Sequence, residues 1–481
     1  MSGIRSVIIL LSDIARTALI EKGFSPEFPK PALNQVALLE QPAFPQPPYR
    51  DMRKFLWCSI DNDDSLDLDQ LTYAEEGKIF IAVADVDALV KKGTPIDHYA
   101  AHNTTSIYTP GQVFPMLPPK LSTNLTSLNE HADRAAIVVE ILVSPEGQSE
   151  LLDLYPAWVR NQAKLAYNHV SQWLEQKVPY PILDQVPGLK EQLHLQDRLA
   201  QKMKKFREEQ GALFFASTEL EPVISEGIVV ELRERKESRA NQLIEYFMIA
   251  ANTAATQYLR RNRLPVFKRV VRTPKRWDRI VALAQALHYS LPPQPDAKAL
   301  QLFLTDQRIA NPPYFPDLCL AIIKLIGRGE YTLDPEPGHF DLALSHYAHT
   351  TAPNRRFPDL IMQRLLKSGL YALQSPYSSL ELNYLARHCT EKENDAAKVE
   401  RRMIKSAAAF VLQNQIGRVF DALVTGNKNH NVWVRLKNPP IEGKLVQGYE
   451  RLDVGDTITV QLLCVNIPNG YIDFKRHSGR Q

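Results

Sequence analysis

Five aspartates fall within nine consecutive positions near the start of the chain, and this cluster restricts the fold more than any other feature. Its members are Asp61, Asp63, Asp64, Asp67 and Asp69. Carboxylates packed this closely repel one another and destabilise a fold unless a cation lies among them. Asp67 and Asp69 point to the same side of an extended backbone, and Asp61 can fold back towards them across a loop. Three convergent carboxylates with no His or Cys partner favour a hard, oxygen-preferring cation, Mg²⁺ or Mn²⁺.

The chemistry of such a cluster depends on what shares the cation. Mg²⁺ keeps part of its water shell and is usually shared with a substrate phosphate, which is the arrangement of a phosphodiester hydrolase. A calcium loop of the EF-hand type requires Gly and Glu at its sixth and twelfth positions, but counting from Asp61 finds Leu66 and Thr72 there. The calcium-loop interpretation is therefore excluded, while an acidic surface loop without a metal stays open.

The basic residues indicate an anionic partner only locally. The chain has 57 Lys and Arg against 54 Asp and Glu, so its net charge of +3 does not by itself indicate nucleic acid. Residues 259–276, however, contain eight basic side chains and no acidic one. Such a tract repels itself unless an anion faces it. We expect it to guide backbone phosphates, with a solvated basic face as the alternative.

The cysteines and the apolar segments favour a cytoplasmic protein. Four cysteines lie far apart, without the spacing of a zinc site or a disulfide framework: Cys58, Cys319, Cys389 and Cys464. The apolar run at residues 7–11 is short and no cleavage site follows it, so we interpret it as the start of a buried helix. No stretch approaches the roughly 18 apolar residues that would span a bilayer. We expect neither a membrane partner nor a small-molecule cofactor.

The middle of the chain has the pattern of a mixed α and β domain. Seven prolines in residues 24–49 predict a linker or strap without regular helix. Residues 79–84 and 135–143 are apolar runs typical of strands buried on both faces. Residues 156–210 turn helical. Ser238 is a suitable cap for a helix over 238–262, where apolar residues recur at helical spacing. Further helices are predicted at residues 278–288, 298–306, 316–327, 357–373 and 378–413.

The last seventy residues predict a small barrel. Five glycine-punctuated strands fit residues 418–424, 431–436, 441–446, 456–465 and 470–475. Five short strands of this kind favour an OB-type barrel, a fold that binds oligonucleotides on one face. Phe420, Trp433, Lys444 and Lys475 are candidates for that face, although the aromatic side chains could equally belong to the core. We therefore expect a helical and Pro-rich segment at 1–50, a catalytic α+β domain at 51–410, and the OB-fold at 411–481.

Ordered blocks of sequence resemble the RNB catalytic domain of the RNase II and RNase R family. Residues 59–69 resemble its opening, where an Asp and five other residues precede Asp-x-Asp-Asp. The later blocks follow in the family's order at residues 82–87 (AVADVD), 108–111 (YTPG), 115–122, 211–215 (GALFF), 245–252, 347–359 and 399–401. The blocks span residues 55–405, and the predicted barrel occupies the place of the family's C-terminal RNA-binding domain.

This resemblance implies a fold, an activity and residue roles. The fold would be a mixed β-sheet surrounded by helices, with a narrow RNA channel. The activity would be hydrolytic 3′-to-5′ degradation of single-stranded RNA to nucleoside 5′-monophosphates by a monomeric, Mg²⁺-dependent exoribonuclease. Asp61, Asp67 and Asp69 would hold the metal and the attacking water, and Arg355 would bind the scissile phosphate. The implied RNA contacts are base stacking by Tyr108 and Phe215, phosphate guidance by Arg356, and an influence of Glu400 on product release.

Two departures from the family pattern leave alternatives open. Gln70 occupies the position of the family's fourth aspartate, and a neutral amide binds a divalent ion less tightly than a carboxylate. A catalytically weak or inactive RNA-binding regulator is therefore the second hypothesis, and a metal phosphohydrolase acting on small nucleotides is the third. In addition, only about fifty residues precede the catalytic blocks, so the resemblance implies a short form without the family's two cold-shock barrels.

Overall fold

The computed structural model describes residues 2–216, 220–225, 228–234, 237–428, 431–453 and 455–477. Over these ranges the α-helices are α1 (Ser2–Glu21), α2 (Lys30–Ala37), α3 (Pro95–Asn103), α4 (Tyr167–Gln176), α5 (Ile182–Gln185), α6 (Leu189–Glu209), α7 (Arg239–Arg261), α8 (Trp277–Ala286), α9 (Ala297–Ala310), α10 (Phe315–Ile326), α11 (Phe357–Leu370) and α12 (Ser379–Leu412). The strands are β1 (Arg50–Asp51), β2 (Cys58–Asp61), β3 (Gln70–Glu75), β4 (Lys78–Ala84), β5 (Ile107–Thr109), β6 (Gln112–Phe114), β7 (Asp133–Val143), β8 (Ser149–Arg160), β9 (Ala163–Ala166), β10 (Leu220–Ser225), β11 (Ile228–Glu234), β12 (Lys268–Val270), β13 (Glu330–Thr332), β14 (Val419–Lys428), β15 (Asn431–Leu436), β16 (Glu442–Gln447), β17 (Thr457–Asn466) and β18 (Tyr471–Arg476).

A seven-stranded mixed sheet forms the centre of the larger part of the chain. Its strand order is β1-β8-β7-β4-β3-β2-β9, with parallel pairs only at its two edges. The predicted strands at residues 79–84 and 135–143 are confirmed as β4 and β7, which pair antiparallel in the middle of the sheet. Their continuous apolar runs follow from this place, because helices or strands cover both of their faces. The sheet delivers Asp61 at the end of β2 and Gln70 at the start of β3.

Helix α7 covers one face of this sheet, contacting β4, β7 and β8. The helix predicted at 238–262 is confirmed, and the Ser238 hydroxyl accepts a hydrogen bond from the Asn241 backbone N–H at 3.3 Å. The five further helices predicted between 278 and 413 are confirmed as α8 to α12, with ends that differ by at most four residues. Helices α8, α9 and α10 enclose a hydrophobic cluster of their own beside the sheet.

Helix α12 connects the sheet layer to the barrel. Its 34 residues span about 50 Å at a rise of 1.5 Å per residue. Along this length it contacts α1, the β5–β6 hairpin, β13 and the barrel strands β17 and β18. The division of the chain at residue 410 therefore stays a prediction, since one helix packs on both sides of it.

The C-terminal strands form the predicted barrel, which confirms the α+β fold with a terminal OB-like module. The barrel is closed in the order β14-β15-β16-β18-β17. Phe420 is buried in its core, so this candidate for the RNA-binding face is wrong. Trp433 instead remains part-exposed on β15, where it pairs across the sheet with Lys444, and Lys405 of α12 lies 4.9 Å from its ring. An RNA-binding role for Trp433, Lys444 and Lys475 stays a prediction.

Two sequence expectations are wrong. The Pro-rich segment contains a helix, α2, because Pro29 caps it and Pro31 lies in its first turn, where a missing N–H costs no hydrogen bond. Residues 156–160 are not helical but complete β8, whose apolar side chains pair with β7. Within residues 156–210, helical structure begins only with α4.

The helices of the described chain include none long and apolar enough to cross a membrane. All four cysteines are free thiols.

Candidate active site

The acidic loop between β2 and β3 is held in place by Ser127. The Ser127 hydroxyl accepts a hydrogen bond from the Leu68 N–H at 2.9 Å and donates one to the Leu66 carbonyl at 2.8 Å. The Leu128 N–H donates to the Leu68 carbonyl at 2.9 Å. Leu68 itself is buried in the main core. These contacts fix the backbone on either side of Asp67 and orient it and Asp69 before any ligand arrives.

Asp69 meets Arg355 across nearly three hundred positions of sequence. The Arg355 Nε donates to Asp69 Oδ2 at 3.0 Å, and the Asn354 backbone N–H donates to Asp69 Oδ1 at 2.9 Å. The Asp69 side chain is 1% exposed, whereas the Arg355 side chain keeps 41% of its surface accessible. A buried carboxylate therefore sits beneath a guanidinium that can still reach a ligand. The side-chain carbonyl of Asn354 accepts a hydrogen bond from the Thr126 hydroxyl at 2.6 Å. This contact fixes the backbone that carries Asn354 and Arg355.

The segment that carries Arg355 is anchored to α7 by Asn252. The Asn252 Oδ1 accepts hydrogen bonds from the Thr350 N–H at 2.8 Å and the Thr350 hydroxyl at 2.7 Å, while its Nδ2 donates to the Tyr347 hydroxyl at 3.0 Å. All three residues are buried. Buried polar networks that are fully satisfied rigidify their surroundings. Asn252 therefore restricts where the following residues, including Arg355, can lie.

Helix α11 is joined to the segment after β4 by a buried ionic network. Arg364 contacts Asp87 at 3.0 Å and Asp97 at 2.7 Å, and Lys367 contacts Asp85 at 2.9 Å and Asp87 at 3.0 Å. The Gln363 amide adds a hydrogen bond to the Ala84 carbonyl at 2.7 Å. The Ala84 N–H in turn donates to the Asp69 carbonyl at 2.9 Å. The network thus connects the helix that follows Arg355 to the strand that borders Asp69.

The β5–β6 hairpin brings Tyr108 to the acidic loop. The Tyr108 hydroxyl donates to Asp67 Oδ2 at 2.9 Å, and its backbone N–H donates to Glu400 Oε1 at 3.1 Å. The backbone before the hairpin is tied to Arg355, because the Ser106 N–H donates to the Arg355 carbonyl at 2.9 Å. Five of the eight predicted site residues therefore form one connected set: Asp67, Asp69, Tyr108, Arg355 and Glu400.

The pKa values of several charged side chains at the candidate active site depart from their ordinary values. Burial raises the pKa of Asp69 to about 7, against the opposing effects of Arg355 and the Asn354 N–H. Burial also raises the pKa of Asp61, and the neighbouring Asp67 raises it further. Burial lowers the pKa of Arg355, but the facing Asp69 outweighs it and the net direction is upward. Perturbed groups that gather in a cleft are a physical indicator of a functional site.

The predicted three-aspartate metal site is not formed by these side-chain positions. Among the described residues, no three His, Cys, Asp or Glu side chains lie close enough together to hold a metal ion. The reason is that both Asp69 oxygens accept hydrogen bonds from Asn354 and Arg355, while Asp67 accepts one from Tyr108. The donor chemistry nevertheless fits a hard divalent cation, since the neighbouring carboxylates carry negative charge that one Arg355 does not balance.

Arg356, which follows Arg355 in the sequence, is held by an ion pair. The Arg356 guanidinium contacts Asp359 at 2.7 Å, and its buried Nε has no hydrogen-bond partner among the described residues. Burial lowers the pKa of His349 well below its ordinary value, and the nearby Arg356 and Arg269 lower it further. His349 is therefore neutral at physiological pH and adds no charge of its own.

The other predicted RNA contacts pack against or bind further parts of the protein. Phe215 packs half-buried against the cluster formed by α8, α9 and α10, and no described aromatic ring pairs with it. Its stacking role opposite Tyr108 stays a prediction. The basic tract at 259–276 is partly engaged within the protein, because Arg269 contacts Glu393 at 2.7 Å and the Lys268 ammonium donates to two backbone carbonyls. Phosphate guidance by this tract stays a prediction.

Sequence reasoning missed three residues that organise the site. Asn354 lies within the block at residues 347–359 but has no predicted role there, although its backbone N–H donates a hydrogen bond to Asp69. Asn252 and Gln363 lie on helices where apolar spacing drew attention to their neighbours. A polar residue on the buried face of a predicted helix was the signal available for both, since such a group must find a partner.

Comparison with known proteins is consistent with these observations. A profile of the RNB domain matches residues 49–372, and a profile of the RNase II-type exonuclease C-terminal S1 domain matches residues 418–477. Ribonuclease R of Escherichia coli K12 is 29% identical over 470 residues, which cover 88% of this chain and 57% of that protein. The chain thus spans little more than half the length of this curated relative.

Solved structures share the fold. Mycoplasma genitalium RNase R in complex with ribose-methylated single-stranded RNA has a TM-score of 0.87 at 21% identity, covering 96% of this chain and 77% of that one. The complex of the same enzyme with double-stranded RNA has a TM-score of 0.86 at 22% identity, covering 96% and 82%. At these identities the likeness concerns the fold.

Proposed function

This chain belongs to the RNB-domain family of RNase II-type ribonucleases, and from that premise we propose that it is a hydrolytic 3′-to-5′ exoribonuclease acting on single-stranded RNA. The observation that carries the proposal is the contact between Asp69 and Arg355, with Tyr108 bound to Asp67 beside it. These contacts bring together a buried carboxylate, a guanidinium that can bind phosphate and an aromatic ring on which a base can stack. Those are the groups that hydrolysis of an RNA end requires.

Each residue has a role that its position can support. Tyr108 stacks on the base at the 3′ end, a contact that tolerates all four bases. The Arg355 guanidinium exchanges its single bond to Asp69 for the oxygens of the scissile phosphate, to which it can present two N–H groups. Arg356 adds positive charge behind that phosphate. Glu400, held against the Tyr108 backbone, lies where it can influence release of the product.

The reaction breaks one phosphorus–oxygen bond and forms another. Oxygen from water attacks the phosphorus of the terminal nucleotide, and the 3′ oxygen of the preceding nucleotide leaves with a proton as the new RNA end. The product is a nucleoside 5′-monophosphate. Asp69, the most buried aspartate of the acidic loop, orients the water and accepts its proton, while Arg355 stabilises the charge that develops on the phosphate.

Exoribonucleases of this family generally depend on a divalent metal. We propose Mg²⁺, with Mn²⁺ as a substitute, held by Asp61, Asp67 and Asp69 once Arg355 has turned to the RNA phosphate. The bound ion would supply charge neutralisation and would make water a better nucleophile. Gln70 contributes a weaker oxygen ligand than the aspartate usual at its position, so we expect loose metal binding.

Cleavage of a labelled RNA tests this proposal. Single-stranded RNA with a 5′ label should give a ladder that shortens from the 3′ end in the presence of Mg²⁺, with nucleoside 5′-monophosphates identified by mass spectrometry. Asp69→Asn should abolish the ladder. Asp64→Asn, an exposed aspartate of the same loop, is the matched control and should retain it. Intact RNA under every divalent ion would reject the proposal.

The buried Gln70 is the observation that favours a second function, an RNA-binding regulator without catalysis. In that case the protein would bind RNA tightly, leave it uncut, and bind equally well after Asp69→Asn. Gel-shift measurements with the same RNA distinguish the two functions. The solved relative is described with both single-stranded and double-stranded RNA, so both belong in the comparison.

A further inference from the structure

Helix α1 carries an apolar stripe that is buried against the rest of the protein. Its buried members recur every three or four residues, as expected of one helix face: Leu11, Ile14, Ala15, Ala18 and Leu19. The change at the end of the stripe is sharp, since Leu19 is 1% exposed and its neighbour Ile20 is 63% exposed. The stripe is too regular and too well covered to be an incidental contact.

The stripe packs against the two elements that hold the candidate RNA clamp. Its hydrophobic cluster includes Ile107 and Phe114 of the β5–β6 hairpin, and Val399 and Met403 of α12. Ile107 precedes Tyr108, and Val399 precedes Glu400. A single buried cluster therefore lies behind both residues that meet in the Tyr108 N–H to Glu400 hydrogen bond.

Polar contacts attach α1 specifically to the hairpin. The Ser12 hydroxyl donates to the Gln112 side-chain carbonyl of β6. The Arg16 guanidinium lies 5.8 Å from the centre of the Phe114 ring. Leu19 lies seven positions after Ser12 and three after Arg16, so these three side chains share one face of the helix. Ser12 and Arg16 contact the hairpin directly, and Leu19 lies in the buried cluster that α1 shares with the hairpin and α12.

The hairpin depends on such support. It consists of two three-residue strands, and among the strands that the structure describes they pair only with each other. An isolated two-stranded hairpin is at best marginally stable in water, because one pair of strands cannot bury a hydrophobic face. On the site side it is held by the contacts of Tyr108 with Asp67 and Glu400. On the other side α1 and α12 share the hydrophobic cluster that supports it.

We propose that α1 is a positioning element for RNA binding: packing of its Ser12–Arg16–Leu19 face against the β5–β6 hairpin fixes the ring of Tyr108 where it stacks on the 3′-terminal base. This inference rests on the proposed RNA-binding function and goes beyond it, because it assigns a role in substrate binding to a helix that touches no RNA. The effect is largest for short RNA, whose few bases rely most on this stack.

The test compares two adjacent residues of α1. Leu19→Ala and Ile20→Ala each shorten one aliphatic side chain, the first in the cluster and the second on the surface. Dissociation constants are measured by fluorescence anisotropy for a pentanucleotide and a long single-stranded RNA, with every protein carrying Asp69→Asn so that cleavage does not interfere. Leu19→Ala should weaken pentanucleotide binding roughly fivefold or more, which is the low end of what one stacked base contributes. Long RNA should respond less, and Ile20→Ala should match the parent.

A double-mutant cycle with Tyr108→Ala separates positioning from general damage. If α1 acts through the ring, Leu19→Ala should no longer affect pentanucleotide binding once the ring is gone. An equal loss in both backgrounds, or no loss in either, overturns the inference. Ile14→Val offers a milder change of the same cluster should Leu19→Ala not fold. Because these are binding measurements, they remain decisive for α1 even if the cleavage assay rejects the exoribonuclease proposal.

Discussion

Replacing Arg364 by Met should lower the free energy of unfolding more than any surface substitution does. The reason is that Arg364 belongs to the buried ionic network between α11 and the segment after β4. The Arg364 side chain is 3% exposed and lies between Asp87 and Asp97, which are also buried. Removing one partner of a buried ion pair leaves an uncompensated charge and costs about 3–5 kcal/mol. The substitution also removes donors to the Tyr377 hydroxyl at 2.7 Å and the Val90 carbonyl at 2.8 Å. We therefore expect a loss towards the upper end of that range.

The matched control is Lys91→Met, which removes another cation from the same network. Lys91 contacts Asp87 at 3.5 Å, but its side chain is 57% exposed. Solvent screens such a pair, so its loss should cost less than about 1 kcal/mol. Urea unfolding followed by tryptophan fluorescence measures both variants. Similar losses for Arg364→Met and Lys91→Met would show that burial does not govern the network, and the reasoning would fail.

The pH dependence of Arg364→Met provides an independent check. Burial raises the pKa of Asp87, but Lys367, Lys91 and Arg364 together bring it below the ordinary value. A lowered pKa in the folded state stabilises the protein above the ordinary carboxylate pKa, and this stabilisation is lost as the pH falls through the lowered value. Without Arg364 the pKa of Asp87 is lowered less, so the variant has less of this stabilisation to lose in acid. The difference in unfolding free energy between wild type and variant should therefore narrow from neutral pH to about pH 3. A difference that widens in acid would refute the assignment.

Three further predictions concern the metal and the barrel. Mg²⁺ should raise the unfolding temperature of the wild type but not of Asp69→Asn, measured by scanning fluorimetry with and without chelator; equal shifts would place the ion elsewhere. Gln70→Asp should lower the Mg²⁺ concentration needed for half-maximal RNA cleavage, because a carboxylate replaces an amide beside the acidic loop. Trp433→Ala should weaken binding of long RNA roughly fivefold or more without lowering the unfolding temperature, whereas Phe420→Ala, in the barrel core, should lower that temperature by several degrees. The reverse pattern would contradict the assignment of the barrel face.

Local patterns in the sequence predicted the elements well where one physical cause dominates. The apolar runs of β4 and β7 predicted strands because both faces are covered, and Ser238 marked the start of α7 because its hydroxyl can cap the helix. The prediction for the Pro-rich segment was wrong for an equally local reason. Proline is tolerated in the first turn of a helix, and the pattern does not say which proline begins one.

The candidate site was predictable in its residue types but not in its contacts. The acidic cluster and the motif around Arg355 identified the groups that carry the chemistry. Which carboxylate faces the guanidinium could not be read from spacing, because the two segments are 286 positions apart. The prediction that three aspartates hold the metal does not describe how their surroundings differ. Burial and hydrogen bonding distinguish Asp69 from Asp61 and Asp67, and those properties depend on the packed chain.

By itself, the sequence determined the central strands β4 and β7, the helices α7 to α12, the barrel at the end, and the supply of carboxylates and cations, since these follow from hydrophobic period, turn residues and residue chemistry. Only the tertiary structure decided that Asp69 lies beneath Arg355, that Arg364 neutralises Asp87 and Asp97, and that α1 supports the hairpin of Tyr108. Such pairings arise when distant segments are desolvated together, and the free energy of a buried charge depends on its neighbours in space and not on its neighbours along the chain.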